Sequence, residues 1–167
     1  MDEHALTLPE EAPPPEGGPA DGCLPCDIAA GRVSVPGGVI HRTGHWIVEH
    51  SIGPLRLGTL IVKPARHVIH VADLTETEAA ELGPLLRDTA RITSELTRPD
   101  QVYVSLWSHA GGVPGHIHFV VQPVTPADVA AFGFGPKLQV AMFEADEPPA
   151  PDAVAAFART ASTRFRG

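Results

Sequence analysis

The sequence has no apolar run long enough to span a membrane, no surplus of basic charge and almost no cysteine, and each absence removes a class of protein. Its apolar runs, such as Phe119 to Val121 and Leu60 to Val62, fall far short of the roughly 18 residues that suggest a membrane span, so no membrane partner is expected. Twelve Lys and Arg stand against twenty Asp and Glu, a formal net charge of −8. That balance opposes binding to a phosphate backbone, so no nucleic-acid partner is expected, although a small nucleotide could still enter a local pocket. The opening residues lack a basic region followed by an apolar stretch, which argues against a secretory signal and makes the cytoplasm the expected compartment. The two cysteines occur together as Cys23-Leu-Pro-Cys26, a spacing that suits metal ligation better than a disulfide framework.

At 167 residues the chain has room for one domain with a self-sufficient core. Residues 1–22 are rich in Pro, Glu and Gly and hold few large apolar groups, so they read as a disordered tail. A short helix is expected over Cys26 to Ala30, stopped by Gly31. Two strands follow, Trp46 to Glu49 and Thr59 to Lys63, joined through the turn-rich Ser51-Ile-Gly-Pro54 as a hairpin. Thr75 with Glu78 spells a capping box, and Leu82, Leu85, Leu86 and Leu96 mark the apolar face of the long helix it opens, with Pro84 as a possible kink. Beyond Pro99, Val102 to Trp107 reads as a strand, and a Gly/Pro loop, HAGGVPG, leads to another over His116 to Gln122. The domain is therefore drawn over residues 23–125. A C-terminal extension over 126–167 is expected to pack on it, with helices near Leu138 to Glu144 and from about Asp152.

The last strand carries the chemistry. Side chains alternate in a strand, so His116 and His118 share one face with Val120 and Gln122, while Ile117, Phe119 and Val121 turn to the core. Two same-face imidazoles this close make a poor core because both need partners, so functional use is the better reading, with satisfied or exposed surface histidines as the alternative.

The segment His116-Ile-His118-Phe-Val120-Val-Gln122-Pro123 resembles the signature of the histidine-triad superfamily, in which three histidines alternate with apolar residues before a proline. Earlier segments are similar in order and spacing: the Cys-x-x-Cys, then Gly58-Thr-Leu-Ile-Val-Lys-Pro64-Ala-Arg-His67, then Asp73-Leu-Thr-Glu opening a long helix. The resemblance implies an α+β fold with a mainly antiparallel sheet, a long helix packed on one face, and a homodimer. It also implies that His118 is the nucleophile, attacking the α-phosphorus of a small nucleotide substrate to form a histidyl-nucleotide intermediate. Some bacterial members are similar in holding a structural zinc through four residues that match Cys23, Cys26, His67 and His116, a closed tetrahedral set. A metal-bound His116 would tether the strand rather than act as acid or base.

The sequence also departs from that pattern. Val120 stands at the third histidine, and Gly112 and Val113 stand where members carry a phosphate-holding Gln and Ser. Ser51 and Gly53 replace a ribose-gripping acid and an Asn. Candidate substitutes for substrate binding are the backbone N–H groups of Gly111, Gly112 and Gly115 as an anion-binding concavity, together with Gln122, His109 and Ser108. His41, His45, His50 and His70 read as partly exposed packing residues; Lys63 and Arg66 are plausible phosphate contacts, but a charged pair around a strand end is usually a solvated edge, and that is the reading taken. The expected function is a nucleotidyl hydrolase acting on dinucleoside polyphosphates or related nucleoside phosphate derivatives. The alternatives are a nucleotide-binding regulatory module with little turnover and a nucleotidyltransferase.

Overall fold

A computed structural model of the chain describes residues 22–166 apart from Gly111 and Asp146. The expected N-terminal tail thus falls almost wholly outside the described residues. Five strands, β1 (Val39–Arg42), β2 (Trp46–His50), β3 (Leu60–Pro64), β4 (Gln101–Ala110) and β5 (Val113–Val124), form one sheet in the order β1-β2-β3-β5-β4. Every neighbouring pair is antiparallel. The helices are α1 (Leu24–Ala29), α2 (Glu76–Thr97), α3 (Pro126–Phe132), α4 (Pro136–Ala145) and α5 (Pro151–Phe165). This is the α+β architecture expected from the sequence.

The sheet has two unlike faces. On one, Trp46, Val48, Leu60, Val62 and Val121 pack against Leu85 and Ile92 of α2 and Ala158 and Ala161 of α5. Trp46 is fully buried, and its indole N–H is satisfied by the Glu78 carbonyl at 3.0 Å, so the ring contributes apolar burial without an orphaned donor. Helix α2 starts at the capping box read from the sequence, with Thr75 accepting from the Glu78 backbone and the Glu78 carboxylate accepting from the Thr75 N–H. It runs through Pro84, which faces solvent, as does Ala80, whose carbonyl Pro84 leaves without a helical donor. The helix ends at Arg98 in the left-handed region, ahead of Pro99.

The opposite face is divided. Under its far end lies a second cluster of Val124, Leu138 and Met142, where α4 and α3 cover β4 and β5. The near end is left open as a cavity. Several elements differ from the sequence reading. Strand β1 and helix α3 carry too few alternating or periodic residues to be read alone; α3 is instead marked by a capping box of Thr125 and Asp128. Helix α1 begins at Leu24, before Cys26. The expected HAGGVPG loop is mostly strand, because His109 pairs with Pro114 and Ala110 with Val113. Gly112, between the strands, has φ 82°, a backbone that favours glycine.

Candidate active site and metal centre

The open end of the sheet is the floor of a cavity of about 660 Å³, lined among others by Glu49, Ser51, Lys63, Trp107, His118 and Phe143. The floor is a row of side chains across four strands. Trp107 on β4 pairs directly with His118 on β5. Strands β5 and β3 pair through Val120 with Ile61 and Phe119 with Val62, and the next positions along that register are His118 and Lys63. Glu49 on β2 completes the row through an ion pair with the Lys63 ammonium at 2.6 Å.

His118 sits half-buried in this row. Its Nδ1 lies 3.1 Å from the carbonyl oxygen of His116. A carbonyl only accepts, so the hydrogen belongs on Nδ1 and the lone pair on Nε2. Burial lowers the pKa of the ring, the hydrogen bond to His116 partly opposes this, and the Lys63 charge lowers it further. The ring is therefore held neutral and in one tautomer.

Beside it, the four residues expected to bind metal come together. One ligand atom from each of Cys23, Cys26, His67 and His116 lies within 4.8 Å of all the others. The Sγ of Cys26 is 3.4 Å from His67 Nδ1 and 3.5 Å from His116 Nδ1, and the Sγ of Cys23 is 3.7 Å from His116 Nδ1. A tetrahedral ion with bonds of about 2.0–2.3 Å has edges of about 3.3–3.8 Å, so the set fits such an ion. His116 also has the tautomer a ligand needs. Its Nε2 donates to the Pro64 carbonyl at 3.0 Å, leaving the Nδ1 lone pair turned to the cysteines. Burial pushes its pKa down to about 4, which keeps the ring neutral.

The expected substrate-binding residues separate. His109 and Gly115 line the cavity. Gly112 is exposed on the hairpin turn and away from the cavity lining, and Gly111 lies outside the described residues. Gln122, although on the same face as His118, is sealed beneath α4 and points its amide at the sulfur of Met142, 3.3 Å away. Helix α4 thus removes it from the cavity, a correction to the sequence reading. Val120 is fully buried between them.

Two further readings change. His50 is a buried residue rather than a partly exposed one: Nδ1 donates to the Ser51 carbonyl at 2.7 Å and Nε2 accepts the Gly58 N–H at 2.9 Å. Lys63 is not at a solvated strand end but fully buried with Glu49. Its partner is fourteen residues away and on another strand, so no local pattern marked it. Phe143 was also missed. It reaches the cavity from α4, meets the ring of Trp107 edge-on at 5.4 Å between centroids, and occupies the space a side chain at Gly53 would need, since a Cβ there would stand 3.0 Å from it.

No family model matches the sequence, but solved structures do match the fold. A hypothetical histidine triad nucleotide-binding protein from Sulfolobus tokodaii superposes with a TM-score of 0.65 at 16% identity, covering 86% of this chain and 92% of that one. The chain has the histidine-triad fold. A Zn-bound histidine triad family protein from Mycobacterium smegmatis gives a TM-score of 0.63 at 18% identity over 87% of this chain and 96% of that one. A histidine-triad protein from Bacillus anthracis gives 0.59 at 21% identity, over 70% and 80%. Within the histidine-triad fold, the strand that bears His116 and His118 is β5, and no helix among the described residues is long and apolar enough to cross a membrane.

Proposed function

We propose that the chain is a nucleotide-binding hydrolase of the histidine-triad type, cleaving dinucleoside polyphosphates or related nucleoside phosphate derivatives through His118. The observation that carries this reading is the tautomer of His118, whose Nδ1 is engaged by the His116 carbonyl within a cavity of nucleotide size. The Nε2 lone pair attacks the α-phosphorus, an N–P bond forms, and the P–O bond to the leaving phosphate breaks. Water then adds to phosphorus, its proton passing to solvent, and the N–P bond breaks, releasing a nucleoside monophosphate and restoring the neutral ring.

Zinc at Cys23, Cys26, His67 and His116 would be structural. A closed Cys₂His₂ set has no open position for substrate, and its contribution is to fasten α1 to the start of β5. Gly115 and His109 are carried as substrate contacts, and thiolate ligands suit a reducing, cytoplasmic setting. A homodimer is supported by the exposed Val104 and Leu106 on the unpaired edge of β4. A second reading, a nucleotide-binding module with little turnover, draws support from Val120, which brings no hydrogen bond to a leaving group.

The test is to incubate the protein with α-labelled diadenosine polyphosphate or adenosine phosphoramidate and quench in denaturant. Label retained on the chain and absent from His118→Ala supports the hydrolase. Binding without label or turnover for either substrate leaves the module.

A further inference from the structure

The buried pair of Glu49 and Lys63 is not explained by packing. Two charges withdrawn from water within a sheet cost several kcal/mol each before their attraction is counted, and apolar residues of similar size commonly serve stability as well or better. Their placement is selective. Lys63 and Ile61 point into the cavity, while Leu60 and Val62, on the same strand, enter the apolar core. The Lys63 ammonium has three hydrogens, and among the described residues Glu49 is its one hydrogen-bond partner. The second oxygen of Glu49, Oε2, is buried and has no partner among the described residues. A half-satisfied polar pair on a cavity floor is what a ligand-binding site looks like before the ligand arrives.

The sequence along β5 shows what this pair offers. Val120 supplies no donor one same-face step beyond His118, and Gln122 is sealed under α4. The cation nearest in the sheet register is across the ladder, on β3. We propose that Lys63, aimed by Glu49, is the cation that receives the substrate phosphate beside His118, and that it takes over from β3 the donor role that β5 lacks at Val120. Glu49 is a positioning residue: it offsets the burial of the ammonium and holds it at the cavity floor. This rests on the nucleotide reading above.

Calorimetric titration of the full chain with AMP, adenosine and inorganic pyrophosphate tests the assignment. Lys63→Met alone would strand a buried carboxylate, so the double variant Lys63→Met/Glu49→Gln is measured beside it, with Glu49→Gln as a third protein. In both proteins lacking Lys63, AMP affinity should fall roughly 10- to 100-fold while adenosine affinity holds. Glu49→Gln keeps an acceptor for the ammonium but loses the charge that aims it, so AMP affinity should fall by less than in the two proteins that lack Lys63, again with adenosine affinity held. If AMP and adenosine weaken equally in the double variant, or neither changes, the pair is structural and the proposal is overturned. Pyrophosphate separates this proposal from the nucleotide reading. If the wild type binds pyrophosphate through Lys63 but binds neither AMP nor adenosine, the phosphate anchor stands and the nucleotide reading falls. If it binds none of the three, both fall.

Discussion

Trp107 and His118 oppose each other across β4 and β5, with ring centroids 6.0 Å apart and planes inclined at 63°. With Phe143 meeting it edge-on, the indole forms an aromatic wall beside the proposed nucleophile. The second tryptophan, Trp46, is sealed in the core. Nucleotide binding should therefore change the emission of Trp107 alone. Trp107→Phe should abolish the fluorescence response, and Trp107→Ala should weaken binding by about 1–3 kcal/mol if a base stacks there. A full response in Trp107→Phe would place the ligand elsewhere.

Metal removal should act on stability first. Helix α1 has only six residues and cannot hold itself in place, so the proposed zinc ties it to the segment after β3 and to β5. Elemental analysis of protein purified without chelator should find about one zinc per chain. Strong chelation should lower Tm by on the order of 10 °C. Cys26→Ser should purify with little metal and the same lowered Tm. Full metal content in that variant would contradict the assignment of the ligand set.

Gly58 has φ 92°, a backbone glycine adopts freely, and a Cβ there would stand 2.4 Å from Cγ2 of Thr97 on α2. Its N–H also satisfies the buried ring of His50. Gly58→Ala should cost at least about 2 kcal/mol of unfolding free energy from left-handed strain and the clash together. Denaturant titration checks this, and an unchanged midpoint would show that the turn can relax.

Much of this was legible in the sequence because it is local. The alternation of His116 and His118 with Ile117 and Phe119 fixed which face bears the imidazoles. Thr75 and Glu78 marked the start of α2 to the residue. What escaped was long-range. Lys63 precedes a proline and reads as a strand end until Glu49, on β2, is brought beside it. His50 looks like a turn residue until the Gly58 N–H arrives. Gln122 has the right parity for the cavity, but whether it is open or covered depends on α4, which starts fourteen residues further on. Phe143 belongs to a helix whose weak periodicity gave no face to predict.

Glu78 links the helix start to pH. Burial alone would push its carboxyl up, but hydrogen bonds from Arg66 and Thr75 outweigh that and hold it below its ordinary value. A lowered carboxyl pKa adds stability that is complete above the ordinary range, near pH 4.3, and is lost as pH falls through the folded value. Glu78→Gln should thus be about 2 kcal/mol less stable than wild type at pH 7. The gap should narrow on acidification below about pH 4. A gap independent of pH would assign the loss to packing.

The central claim is that the Nε2 of His118 faces a phosphorus atom in the cavity. A crystal structure of the protein with bound AMP tests it most directly. The account predicts the α-phosphorus about 3–3.5 Å from that nitrogen, with a phosphate oxygen on the Lys63 ammonium and the base toward Trp107. A nucleotide bound outside the cavity, or inside it with the phosphate turned from His118, would contradict the account.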